Sequence, residues 1–486
     1  MNLTKLFAAM GLVLATLGQA QPTTQDVTLA QQLQAAIEVY RSKPLDDAVA
    51  AFEALHKAHP DELDVRAWLG FLYLQARKED QAVAMLEPVA TARPLDLEAQ
   101  NNLGNAYLGT KQYEKALAQF LKVVQGDPGL FEPWYNMGNI HLAQETWKEA
   151  VKAFETANKL KPNDPYVLNN LGIAYEHADQ LERAAASFGV ASNLEPTNVV
   201  FAKNCAFVLL KKREPGRALK YLERAYRLDP RDLNIGLSLG EVYARTGKHD
   251  LAANVYGSLS QSHPERAEVW FNLGVARQQL KQDAAAETAY RQALQVNSSD
   301  LDSINNLGVL LMRRKQYSDA FVMFQRLAGL NPQSESARLN MAACALAVND
   351  MPNAIAAWRD ALALNPKLHG ARLSLANALW ASGEREAAKT EYETILRDQP
   401  RNAEALNGLG LFYLAANNAT AAEKPLRDAL AANPKFVAAM NNLAVALEQT
   451  NRRPEAIKLL EEALKIAPNN EEAKTNLRRM RTAGTL

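Results

Sequence analysis

Apolar and small residues recur along this chain at helical spacing, in short groups that are separated by polar turns. Residues 131–164 contain two such groups. The first consists of Trp134, Met137, Gly138 and His141, and the second consists of Ala150, Phe154 and Ala157. Intervals of three and four residues place each group on one face of a helix. The polar turn between them, residues 145–147, is short, so the pattern predicts an antiparallel pair of helices.

Proline marks the end of this pattern at intervals of 34 residues. The prolines in this register are Pro60, Pro94, Pro128, Pro162, Pro196, Pro230, Pro264, Pro332, Pro366, Pro400, Pro434 and Pro468, and Ser298 occupies the slot where one is missing. Because proline cannot continue a helical hydrogen-bond ladder, each slot is predicted to end a second helix. The period divides the chain into thirteen predicted repeats: 29–62, 63–96, 97–130, 131–164, 165–198, 199–232, 233–266, 267–300, 301–334, 335–368, 369–402, 403–436 and 437–470.

Three further slots, counted from the first residue of each repeat, hold the same kinds of residue throughout. The eighth position is always Gly or Ala, and the twentieth is Ala in every repeat, from Ala48 to Ala456. The twenty-fourth position is aromatic or Leu, as in Phe120. Small residues let two helix backbones approach closely, and we expect the large residue to fill the space beside that contact.

The third repeat has a characteristic residue at almost every one of these positions. These residues are Leu103, Gly104, Tyr107, Ala116, Phe120 and Pro128. This pattern resembles the tetratricopeptide repeat, over nearly all of the chain from residue 29 onward. Cys205-Ala206 replaces Leu-Gly in the sixth repeat, and Ala342, Ala376 and Ala444 replace Gly. The resemblance implies an all-α fold: a right-handed α-solenoid of about thirteen helix-turn-helix repeats, with the first helices on its concave side and the second helices on its convex side.

The two ends of the chain fall outside the repeats. Within residues 1–20 the only charge, Lys5, precedes an apolar run and a Gly-Gln-Ala ending. This is the layout of a secretory signal peptide that is cleaved after Ala20. An uncleaved membrane anchor is the alternative, although the run is shorter than the roughly 20 residues of a membrane span. We expect an exported protein, periplasmic or secreted, with no membrane insertion after cleavage. Residues 21–28 are predicted to be a linker, and residues 471–486 a capping helix and tail.

The resemblance implies that the concave surface consists of the second, fifth, sixth, ninth, twelfth and thirteenth positions of each repeat. Asparagine occupies the sixth position in eight repeats, and aromatic residues share this surface. The candidate peptide-binding residues are Asn102, Asn136, Asn170, Asn204, Asn272, Asn306, Asn340, Asn442, Tyr135, Phe207 and Phe271. A row of amides offers donors and acceptors to the backbone of an extended peptide. It also resembles the asparagine ladder of O-linked N-acetylglucosamine transferases, whose catalytic domain is missing here. The alternative is that each asparagine supports the neighbouring repeat.

Composition narrows the function classes. The chain has 54 basic and 54 acidic residues, and this zero net charge argues against a general nucleic-acid binder. Two cysteines, Cys205 and Cys344, fall in repeats far apart, so both are interpreted as small buried residues. We find no phosphate-binding glycine loop, nucleophile elbow or metal-binding histidine motif in the sequence, so we expect no enzyme activity, no cofactor and no metal.

The sequence therefore predicts a protein whose partners are other proteins or peptides. The favoured hypothesis is a non-enzymatic scaffold or adaptor of the cell envelope that binds an extended peptide in its groove. Two alternatives remain open: a holdase-like carrier of unfolded or secreted polypeptides, and a periplasmic component of a polysaccharide or pilus export assembly. Nothing in the sequence indicates the oligomeric state.

Overall fold

A computed structural model describes residues 28–482. The predicted signal peptide, the linker up to residue 27 and residues 483–486 of the tail lie outside the described residues. The chain forms two compact units, Met1–Asp229 and Pro230–Leu486, which we call the N-terminal module and the C-terminal module. The described parts of both consist of helices and turns, with no β-strand.

The described part of the N-terminal module contains twelve helices, in six pairs. They are α1 (Leu29–Ser42), α2 (Leu45–Ala58), α3 (Leu63–Gln75), α4 (Glu79–Ala92), α5 (Leu97–Gly109), α6 (Tyr113–Gly126), α7 (Phe131–Ala143), α8 (Trp147–Leu160), α9 (Pro165–His177), α10 (Leu181–Leu194), α11 (Val199–Lys211) and α12 (Pro215–Leu228). Each first helix packs against its own second helix, and that second helix packs against the next first helix.

The described part of the C-terminal module contains seven pairs and a final helix. They are α13 (Leu233–Arg245), α14 (His249–Ser262), α15 (Ala267–Gln279), α16 (Asp283–Val296), α17 (Leu301–Arg313), α18 (Tyr317–Leu330), α19 (Glu335–Ala347), α20 (Met351–Leu364), α21 (His369–Ala381), α22 (Arg385–Asp398), α23 (Ala403–Ala415), α24 (Ala419–Ala432), α25 (Val437–Gln449), α26 (Arg453–Ile466) and α27 (Glu471–Thr482). The consecutive helix-turn-helix packing in each module confirms the predicted all-α solenoid class.

The slots of the repeat form the core. The alanines at the twentieth position are fully buried, from Ala48 to Ala456. At the eighth position, the glycine is required by a close approach: a Cβ on Gly104 would lie 2.7 Å from Cε1 of Phe120, and one on Gly138 would lie 2.6 Å from Cε1 of Phe154. The predicted role of the small and large slots is therefore confirmed.

The turn inside each pair has a geometry that the sequence analysis did not predict. In the second repeat, Arg77 adopts a φ of 54°, and the N–H of Lys78 donates to the carbonyl oxygen of Tyr73 over 2.8 Å. This is the bond of a Schellman motif, which satisfies carbonyl groups that the helix end leaves free. The fifteenth position has a positive φ in twelve repeats, yet only Gly247 and Gly383 are glycines there.

Tyrosine–glutamate pairs join some second helices to the next first helix in the N-terminal module. The hydroxyl of Tyr73 donates to Oε1 of Glu53 over 2.9 Å, and the hydroxyl of Tyr175 donates to Oε1 of Glu155 over 2.6 Å. Burial, followed by the bond to Glu53, raises the pKa of Tyr73 to about 12. The bond to Tyr175 lowers the pKa of Glu155, so both partners stay in the protonation states that the bond requires.

The two cysteines are free thiols in the core, as predicted. Cys205 lies on α11 and Cys344 on α19, and both are buried. Burial raises the pKa of each thiol to about 11. A thiol with such a pKa carries little thiolate at neutral pH, so both side chains act as small apolar residues.

Candidate functional site

The predicted asparagines lie on first helices and are at least half-buried. Asn102, Asn136, Asn170 and Asn204 belong to the N-terminal module, and Asn272, Asn306, Asn340 and Asn442 belong to the C-terminal module. Asn102 is the most enclosed of them, with 8% of its surface exposed.

Several of these amides bond to asparagines of the preceding repeat. Nδ2 of Asn136 donates to Oδ1 of Asn105 over 2.8 Å. Three further bonds of the same kind, each 2.9 Å long, run from Asn170 to Asn139, from Asn204 to Asn169 and from Asn442 to Asn407. In α27, Asn476 donates to Asn441 in the same way over 2.8 Å. These side chains therefore connect stacked repeats. A primary amide has a second N–H and further lone pairs, so each retains capacity for another partner.

Other sixth-position asparagines are differently placed. Asn102, Asn272 and Asn340 form no side-chain hydrogen bond within residues 28–482. Oδ1 of Asn306 accepts from Nδ2 of Asn305, in the same repeat, over 3.4 Å. The same slot thus holds four amides that bridge repeats, three that have their full hydrogen-bonding capacity available, and Asn306, which bonds within its own repeat.

The aromatic candidates are half-buried on first helices. Tyr135 stacks on Phe131 with ring centroids 5.7 Å apart and meets the edge of Phe154 at 5.9 Å. Nζ of Lys203 lies 5.8 Å from the centroid of the Phe207 ring. Phe271 packs beside Tyr290 with centroids 6.1 Å apart. All three candidates contribute to packing and leave part of their surface exposed.

An open cleft in the N-terminal module brings several of these residues together. Its volume is about 720 Å³, which falls in the size range of ligand pockets. We call it the N-terminal cleft, and it is lined by Tyr40, Phe71, Leu74, Gln75, Arg77, Glu79, Asn101, Asn102, Asn105, Gly109, Glu132, Tyr135 and Asn136. Helices α1, α3, α5 and α7 provide nearly all of this lining, with residues from the turn and start of α4.

The cleft includes residues that sequence reasoning did not select. Tyr40, Gln75 and Glu132 stand at the twelfth, thirteenth and second positions, which were expected to be concave, but only asparagine and a few rings were chosen as candidates. Arg77 lies in the turn between α3 and α4, and Glu79 is the first residue of α4. The repeat pattern contains no signal for their position, because it describes the turn only as polar.

Two kinds of site are missing from the described chain. Between residues 28 and 482, no helix is both long and apolar enough to cross a bilayer. Over the same residues, no three side chains of His, Cys, Asp or Glu are grouped so that they could hold a metal ion. The candidate site on the first helices is an open surface of amide groups, aromatic rings and a few charged groups.

A stack of helical hairpins with such a surface defines an α-solenoid of the interaction-scaffold class. Models of the tetratricopeptide repeat match residues 70–130, 208–258, 237–302, 373–435 and 413–471, and two further models of this repeat match residues 138–177 and 301–328. The chain belongs to the tetratricopeptide repeat family. Proteins of this family are generally non-catalytic scaffolds for protein–protein interaction, and the matching models indicate no enzyme family.

Solved structures show similar repeats at low identity. The crystal structure of YrrB, described as a TPR protein with an unusual peptide-binding site, is 20% identical; the match covers 38% of this chain and 95% of that one, with a TM-score of 0.35. The structure of Naa15/Naa10 bound to HypK-THB is 13% identical over 94% of this chain and 96% of that one, with a TM-score of 0.36. MamA from Desulfovibrio magneticus RS-1 is 22% identical over 35% of this chain and 97% of that one, with a TM-score of 0.33. No curated protein matches the sequence.

Proposed function

We propose that this protein is a non-enzymatic scaffold of the cell envelope that binds an extended peptide segment of a partner protein along its first helices. The observation that carries the proposal is the set of half-buried amides at one repeated position, three of which have no hydrogen-bond partner in the described chain. An extended peptide leaves its backbone N–H and C=O groups unpaired, and amide side chains supply both a donor and an acceptor for them. Half-buried rings beside the amides provide apolar contact for the side chains of the same peptide.

The amides without a partner and the amides that bridge repeats allow peptide binding to be tested separately from the packing of one repeat on the next. Replacing Asn102, Asn272 and Asn340 together by alanine should weaken binding of a peptide about tenfold or more, since each lost hydrogen bond contributes roughly 0.5–1.5 kcal/mol. The thermal unfolding of this variant should stay close to that of the parent, because these amides bond to no other repeat. The measurement is fluorescence anisotropy of a labelled peptide selected from a random library on the full chain.

The comparison variant carries alanine at Asn136, Asn170 and Asn204. Its unfolding free energy should fall, because each substitution removes a bond between repeats and leaves the oxygen of Asn105, Asn139 or Asn169 without its donor. If the first triple variant binds peptide as tightly as the parent, the amide mechanism is wrong. Binding of many unrelated apolar peptides with equal affinity would favour the carrier hypothesis over a dedicated adaptor.

Export is the part of the proposal that rests on residues 1–20. Expressed in a Gram-negative host, the protein should be recovered from the periplasm with Gln21 as its first residue, as N-terminal sequencing would show. Replacing both Leu12 and Leu14 by arginine should block export, because the apolar run is then interrupted. A membrane-bound chain that still begins at Met1 would contradict cleavage and indicate an anchor.

A further inference from the structure

The N-terminal cleft has a chemistry of its own, beyond the repeated amides. Tyr40 and Phe71 form an aromatic wall with ring centroids 6.1 Å apart, and the buried ring of Trp68 packs against both, at 5.8 Å from Tyr40 and 6.0 Å from Phe71. All three pairs meet edge to face. The hydroxyl of Tyr40 accepts a hydrogen bond from Nε2 of Gln75 over 3.1 Å, which holds the ring at the cleft.

Three charged side chains line the same cleft without an ion-pair partner. Arg77, Glu79 and Glu132 make no salt bridge and no side-chain hydrogen bond within residues 28–482. Neighbouring charges behave differently, since Asp64 pairs with Arg93 over 2.7 Å. The two carboxylates and one guanidinium leave the lining with one net negative charge.

The side chain of Glu79 packs closely against α5 at the edge of the cleft. A Cβ on Gly109 would lie only 2.3 Å from Cγ of Glu79, so the glycine provides the space that the glutamate stem occupies. Glu79 is also half-buried, whereas Glu132 and Arg77 are exposed. An unpaired carboxylate in a partly enclosed place is less screened by solvent than one at the open surface, so its attraction for a cation is stronger.

We infer that the N-terminal cleft binds a peptide segment that presents a lysine or arginine next to an apolar residue. This inference rests on the proposed function and adds the chemistry of the segment. The cationic head is attracted to the carboxylates of Glu79 and Glu132, and aromatic rings add a cation–π contribution. The apolar neighbour packs against Phe71 and Leu74, and the amides of Asn101 and Asn102 face the peptide backbone.

The experiment begins with a random decapeptide library that is selected on the full chain. The bound pool should be enriched in Lys or Arg beside an apolar residue. A labelled peptide from this pool is then compared with an analogue that carries glutamine in place of its basic residue. The parent protein should bind the basic peptide about tenfold more tightly, which corresponds to about 1.4 kcal/mol, and high salt should reduce that difference.

Matched variants locate the preference in the cleft. Glu79→Gln with Glu132→Gln should remove the difference between the two peptides. The control is Asp80→Asn with Glu149→Gln, which also neutralises two acidic residues in first turns of helices but outside the cleft. Arg77→Asn should bind the basic peptide more tightly than the parent does, an outcome that damage to the fold would not produce. Asparagine already occupies the corresponding turn position at Asn349, Asn417 and Asn451.

Two results would overturn the inference while leaving the proposed function intact. One is a bound pool without enrichment in basic residues. The other is a preference that survives in the Glu79 and Glu132 double variant or disappears equally in its control. If the full chain binds no peptide from the library, the proposed function itself fails, and the inference fails with it.

Discussion

Replacing Phe188 by alanine is expected to lower the unfolding free energy of the N-terminal module by about 3–5 kcal/mol. Phe188 lies on α10, is fully buried and stands directly over Gly172, where a Cβ would approach its Cε1 to 2.6 Å. The ring fills the space between the two helices of its repeat. Alanine would leave a cavity that the backbones of α9 and α10, already in close contact, cannot collapse to fill.

The measurement is urea unfolding followed by circular dichroism. Val190→Ala is the control on the same helix, because Val190 is 43% exposed and its removal creates no cavity. The control should change stability by less than about 1 kcal/mol. Equal losses in both variants would show that α10 contributes through helix propensity and not through the packing of its large slot. Because each repeat is stabilised mainly by its neighbours, the loss of stability should be largest in the N-terminal module.

Adding a branched side chain at Gly274 is expected to destabilise the C-terminal module by about 1–3 kcal/mol or more. A Cβ there would lie 2.6 Å from Cε1 of Tyr290, whose side chain is fully buried and bonds through its hydroxyl to Oε1 of Gln278 over 2.8 Å. In Gly274→Val the ring must therefore move away from its bonded position. Overpacking of this kind displaces both the ring and its helix.

Gly257 provides the matched control in the same module. It lies within α14, and a Cβ there would meet no atom within 4 Å. Gly257→Ala should stabilise the module by roughly 0.5–1 kcal/mol, because alanine loses less conformational freedom in a helix than glycine does. Both variants can be compared by thermal unfolding. A Gly274→Val protein that unfolds at the parent temperature would contradict the close approach of α15 and α16.

The sequence contains a signal for which asparagines bond to each other. A sixth-position asparagine bridges to the preceding repeat where that repeat has asparagine at its ninth or fifth position, as with Asn136 and Asn105 or Asn442 and Asn407. Asn272 follows Glu241 and Leu237 at those positions and has no such partner. Asn340 breaks the rule, because Asn305 stands at the fifth position of the preceding repeat and yet no bond joins the two side chains; Asn305 donates only to Asn306. The repeat pattern alone does not distinguish Asn340 from the asparagines that bridge.

The sequence by itself determined the helix pairs, their interval, the alanine and large-residue core slots and the family. It could do so because each hairpin in such a fold contacts mainly its neighbours, so a local pattern repeated along the chain is already the pattern of the core. Only the tertiary structure decided the division into two modules, the left-handed turn residue at Arg77 and its equivalents, and the N-terminal cleft with its unpaired Glu79 and Glu132. The cleft depends on how side chains from several helices and a turn meet in space, and that arrangement is not encoded in any single repeat.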